Sequence, residues 1–158
     1  MRPYLLALFL ATTLHAQTTD DDRKHWAEIT HKFEAAPLDD DTRRDARFAV
    51  AEIATSHDFH PVLCKTFYED FDTSKYEHHA EIRLLYLLGV STYQIETTKT
   101  DQEGTNLYAL HTVLKGYAAI LKDDPKSKDK LLDELANADT KNKLPDLIAK
   151  KGCNAPQK

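Results

Sequence analysis

The chain has 158 residues, 41% of them hydrophobic, with 26 acidic side chains against 21 basic ones and a formal net charge of −5. An acidic balance excludes nucleic acid or an anionic membrane surface as the main partner, because both reward a basic face. Only four glycines occur, and alternating β-branched runs between turns are missing, which directs the reading to helices and away from sheet.

The chain opens with Met1-Arg2, a short positive start, then the apolar run Tyr4 to Leu14, then Ala16 as a small residue behind His15. This is the layout of a signal peptide cleaved after Ala16, and about a dozen apolar residues fall short of the ~20 that a spanning helix needs. The expected organisation is a signal peptide over residues 1–16 and a single α-helical domain over residues 17–158. The domain is expected to be secreted or periplasmic, with no membrane insertion once the leader is gone.

Helix one is predicted from Asp22 to Ala35, behind Thr19, Asp20 and Asp21 as caps and before Pro37. It contains HWAEITHKFE, in which His25, Glu28, His31 and Glu34 recur every third residue. At ~100° per residue Trp26, Ile29 and Phe33 group on one side and the four polar residues fan over the other. The ladder therefore reads as a solvated face; Glu28 and His31 are half of a di-metal bundle signature whose second copy is missing.

Helix two is predicted from Asp41 to Ser56, with Phe48, Val50 and Ile53 packing inward. Helix three opens at Pro61, a favoured first-turn residue, and ends near Phe71. Helix four follows a Thr73 or Ser74 cap and runs to Glu96. Its segment LLYLLGV, Leu84 to Val90, is apolar on every side and is the expected centre of the bundle, with Gly89 marking a close helix crossing. Helix five spans Glu103 to Lys122, with Leu107, Leu110, Leu114, Tyr117, Ala118 and Leu121 as its stripe and His111 as a hydrogen-bonded core histidine within it. Helix six runs from Ser127 to Ala138, and helix seven from Pro145 to Lys151 under a Gly152 cap. The fold class is all-α, a compact bundle of six to seven helices built as hairpins.

Cys64 and Cys153 are the only cysteines. In an oxidising compartment such a pair reads as one disulfide. It would close a loop worth about 4.6 kcal/mol in the chain-entropy model and pin the C-terminal segment onto helix three.

Two histidine clusters are the candidate metal ligands: His57 with His60 before helix three, and His78 with His79 early in helix four. They flank the same helix, and zinc needs three or four convergent groups. His78 with Glu81 is a further two-ligand pair. No Gly-rich phosphate loop, nucleophile-elbow serine, His-Glu-x-x-His step or haem-attachment motif occurs, so no catalytic residue and no cofactor is assigned. Tyr68, Phe71 and Tyr76 bracket the joint between helices three and four and are the candidate interaction aromatics, a residue type enriched in interfaces.

LLYLLGVSTY (Leu84 to Tyr93), with its Leu-Gly step and later Tyr, and VLKGYAAILKDDP (Val113 to Pro125), with its Tyr, apolar pair and terminal Asp-Pro, resemble the two helices of a tetratricopeptide-type hairpin. The resemblance covers residues 84–125 and implies a helical hairpin and a protein-binding role. The expected function is that of an exported, non-catalytic helical protein engaging a protein or peptide partner. The alternatives are a periplasmic inhibitor or immunity-type protein, and a metal-binding protein using the histidine cluster.

Overall fold

The computed structural model describes residues 18–57 and 59–153, so the predicted leader and its cleavage point lie outside the described residues. Seven helices follow one another: α1 (Asp20–Ala35), α2 (Asp40–Thr55), α3 (Lys65–Asp72), α4 (His79–Thr97), α5 (Gln102–Asp123), α6 (Lys130–Thr140) and α7 (Leu144–Lys150). Among the described residues there is no strand, and no helix is long and apolar enough to cross a membrane.

Aspartate and threonine punctuate the chain, as expected for α1 and α2. Thr19 and Asp22 form a reciprocal capping box at α1. Asp39, Asp101 and Asp129 each accept backbone N–H groups at the starts of α2, α5 and α6. Each such cap is worth ~1 kcal/mol, since it satisfies donors the helix itself cannot.

Three helices begin later than the sequence suggests, two because a tertiary bond holds the first residues out and one because of a local turn. Cys64 stays extended, its N–H donating to the Tyr86 hydroxyl at 3.0 Å, so α3 starts at Lys65 and not at Pro61. Ser74 accepts the N–H of Tyr76 and makes a turn, which leaves His78 as the residue preceding α4. Ser127 is buried against Tyr76, and the cap of α6 is Asp129.

Helix α4 is the centre of the molecule, packing against α1, α2, α3 and α5. Leu85, Tyr86 and Leu88 have no exposed surface. A Cβ on Gly89 would stand 2.8 Å from the Ala109 Cα, so the expected close crossing is present and lies between α4 and α5. The buried stripe of α5 differs from the predicted one. Ala109, Leu110, Val113, Gly116, Tyr117 and Ile120 face inward, while Leu107, Leu114 and Leu121 are half-buried and Ala118 is exposed. The small residues take the inner positions because the backbones approach so closely there. His111 lies toward the edge and meets Asp139 of α6 at 3.0 Å.

Helix α1 packs as its wheel predicts, with Trp26, Ile29 and Phe33 buried, a gain of ~1.5–3 kcal/mol for a side chain such as Phe33. Trp26 also donates from Nε1 to Glu52 of α2 at 2.9 Å. Glu34 departs from the prediction: it is buried, drawn in by Lys115 of α5 at 3.1 Å. Phe48 departs in the opposite sense. It is 63% exposed, because Ala46, Ala49 and Ile53 are the α2 residues that meet the core.

Cys64 and Cys153 form the expected disulfide, with a Cα–Cα distance of 5.3 Å across a sequence separation of 89. Its surroundings are polar and connected. The Tyr86 hydroxyl stands between Cys64 and Asn106, and Asn106 donates to the Cys153 carbonyl at 3.0 Å. Burial holds the Tyr86 hydroxyl well above its ordinary pKa, so it stays a donor.

Candidate functional site

The two histidine clusters flank α4 but do not meet. His60 lines hollows beside Leu87, Val90 and Gln94, whereas His78 precedes the first residue of α4. Twelve residues of helix between His78 and Val90 place the clusters about 18 Å apart along the axis. His60 bonds through Nε2 to the His57 carbonyl at 3.1 Å, and His79 through Nδ1 to the Tyr76 carbonyl at 2.9 Å. Glu81 is buried and pairs with Arg43 at 3.5 Å, so it does not join His78. Among the described residues the group whose ligand atoms converge is Glu77, His78 and Asp124.

The α1 ladder has a different fate. His31 reaches Glu96 of α4 through Nε2 at 2.7 Å and Glu34 through Nδ1 at 3.3 Å. Tyr108 of α5 donates to the other oxygen of Glu96 at 2.6 Å. The hydrogen bond that the His31 ring donates to Glu96, aided by Glu34, raises the His31 pKa. Burial works against ionisation of Glu96, but the bonds from Tyr108 and His31 outweigh it and hold the carboxyl below its usual range. Every group has its partner inside the protein, and His25 and Glu28 stay exposed outside the cluster. The arrangement ties three helices together.

The predicted interaction aromatics are largely interior. Phe71 is 1% exposed and stands edge-on to Tyr86, and Tyr76 is buried edge-on to Tyr117. Tyr68 packs half-buried against the core. Among the described residues the large apolar side chains that do face solvent are Phe48 and Val62. Phe48 sits beside Arg44 and Arg47 on α2, but Arg44 is already paired with Asp41 at 2.9 Å.

A surface that the sequence reading missed lies between α6 and α7. Leu132 and Leu135 of α6, and Leu144 and Ile148 of α7, are buried in the core. Each helix carries a second apolar row one step round: Leu131 and Ala138 on α6, Leu147 on α7. These three residues form the floor of a groove of about 530 Å³, larger than the 420 Å³ hollow over α2. Lys141, Lys143, Lys150 and Lys151 stand on its rim with Glu134 and Asp146, four cations against two anions in a chain that is acidic as a whole.

Local sequence and long-range bonds shape this groove together. Asn142 takes the left-handed conformation, φ 53°, which turns the chain tightly from α6 into α7. Gly152, φ 74°, ends α7, and Cys153 then enters the disulfide. Lys151 is fixed on Asp70 of α3 at 2.7 Å. The α7 wall is therefore braced from behind, while among the described helices α6 packs against α5 and α7. The signal in the sequence was the stretch KLLDELANADTKNKLPDLIAKK, where paired leucines give each helix two apolar rows instead of one.

No protein-family model matches the chain, and no curated protein and no solved structure matches it.

Proposed function

We propose that this is an exported, non-catalytic binding protein that docks an acidic amphipathic helix of a partner protein in the α6–α7 groove. The observation that carries the reading is the pairing of an apolar floor with a lysine rim on a helical hairpin whose outer side no other helix among the described residues covers. A groove of this kind accepts the apolar stripe of a helix, read at i, i+3 and i+4. The cations select acidic flanks and speed encounter, and they do so more strongly at low salt. The disulfide supports the exported setting, since such bonds persist in oxidising compartments.

The test uses two synthetic amphipathic helices with the same leucine stripe, one flanked by glutamates and one by lysines. Fluorescence anisotropy is expected to show binding of the glutamate peptide, weakening as salt rises, and none of the lysine peptide. Leu147→Asp and the pair Lys143→Glu with Lys150→Glu are expected to abolish it. Equal binding of both peptides, or binding that these variants leave unchanged, overturns the proposal.

A further inference from the structure

The joint between α3 and α4 and the joint between α5 and α6 meet at one end of the bundle, because α4 and α5 run antiparallel across Gly89 and Gly116. Tyr76 pins them together: its hydroxyl bonds to the Ser127 carbonyl at 3.3 Å and accepts from the Ser127 hydroxyl at 3.1 Å. Beside this pin a nitrogen of His78 and one carboxylate oxygen from each of Glu77 and Asp124 all lie within 4.8 Å of one another.

We infer that Glu77, His78 and Asp124 form a binding site for a divalent zinc-type ion that clips the two joints together.

Three observations carry this. The Nε2 atom of His78 is shut off from solvent and has no hydrogen-bond partner, and a buried polar atom left so costs ~1–3 kcal/mol unless something satisfies it. Among the described residues, the ion pairs formed by lysine and arginine go to acids other than Glu77 and Asp124. The ligands are also pre-placed. The His78 ring stands edge-on to the Tyr76 ring at 5.5 Å, and one oxygen of Asp124 accepts the Lys126 N–H at 3.1 Å, which orients the other.

Geometry and chemistry agree on the ion. Ligand atoms around tetrahedral zinc, each ~2.1 Å from the metal, sit about 3.4 Å apart. The ligand atoms already lie within 4.8 Å of one another, and the side chain of Glu77 is exposed and so has room to turn. One imidazole and two carboxylates suit zinc, whereas calcium and magnesium require six or more oxygens. The C-terminus of α5, capped by Asp124, contributes partial negative charge that offsets the positive end of α4. Three protein ligands leave a fourth position, which water or a group from outside fills.

The experiment is a calorimetric titration of Zn²⁺ into the oxidised chain purified without a histidine tag. One ion per chain is expected, together with a rise in the unfolding temperature, because the metal binds the folded state. His78→Ala and, separately, Glu77→Gln are expected to weaken binding by more than the roughly 10- to 100-fold that loss of a mere outer partner costs. Glu77 is exposed, so its variant keeps the fold even if the histidine variant does not. The His57→Ala, His60→Ala double variant is expected to bind as the parent does. No uptake by the parent chain, uptake that survives both site variants, loss of uptake in the double variant, or equal competition by Ca²⁺ each overturns the assignment.

Discussion

Two hairpins in this molecule are built from similar residues and end with opposite surfaces. The α4–α5 hairpin is covered on nearly every side, by α1, α2 and α3 over α4 and by α1, α6 and α7 over α5. The α6–α7 hairpin rests on α5 by one side and leaves its second apolar row half-buried. The difference lies in how many neighbours each helix has, since both hairpins are rich in leucine and alanine. A hairpin in the middle spends its whole apolar surface on the fold, and one at the edge keeps a strip for something else.

Breaking the disulfide is the most severe test of the contrast. Replacing Cys64 and Cys153 by serine is expected to remove up to about 4.6 kcal/mol, read from denaturant unfolding. Hydrogen exchange should then show α7 opening first and α4 last, because the bridge braces the edge hairpin and the core hairpin does without it. Uniform loss of protection across both hairpins would remove the distinction.

Overpacking should separate them next. Gly89→Ala places a Cβ within 2.8 Å of the Ala109 backbone, and the cost of such crowding, ~1–3 kcal/mol, exceeds the ~1 kcal/mol gained in helix propensity. The net destabilisation expected is up to about 2 kcal/mol. Ala138→Leu, which adds a larger group to the open groove floor, should change stability by under ~0.5 kcal/mol while altering peptide binding. Comparable losses in thermal melts of the two variants would show that the groove is as tightly filled as the core.

The smallest expected effect concerns the corner of α1, α4 and α5. Glu96 has a lowered folded pKa, so its share of stability is present above its ordinary value of 4.5 and lost as pH falls through the depressed one. His31 has a raised folded pKa, so its share is present below 6.5 and lost as pH rises through the higher value. The pair is therefore at full strength between 4.5 and 6.5. With His31 nearly half exposed, the effect should stay below ~1 kcal/mol. An NMR titration of the imidazole and melts across this range check it, and His31→Gln should flatten the alkaline limb.

Much of the fold could be read from the chain before its structure. Six or seven helices, the caps of α1 and α2, the Trp26, Ile29 and Phe33 face, the buried α4, the Gly89 crossing and the disulfide all follow from local pattern or residue chemistry. The starts of α3, α4 and α6 did not, because Tyr86, Ser74 and Tyr76 hold those residues in other bonds. Glu34 and Phe48 were assigned to the wrong sides. A wheel shows which residues share a face, but not that Lys115 waits to pair with one acid or that no helix comes to cover one phenylalanine.

The sites follow the same division. Sequence alone determined that His78 is a ligand-type residue and that α6 and α7 are amphipathic, since composition and periodicity are properties of a segment. Only the tertiary structure decided that His78 meets Asp124, 46 positions away, and not His57 or His60. It also decided that Leu131 and Leu147 share one groove beneath four lysines. Convergence of side chains from separate segments depends on how the helices cross, and those crossings are set by the packing of every residue in the core at once.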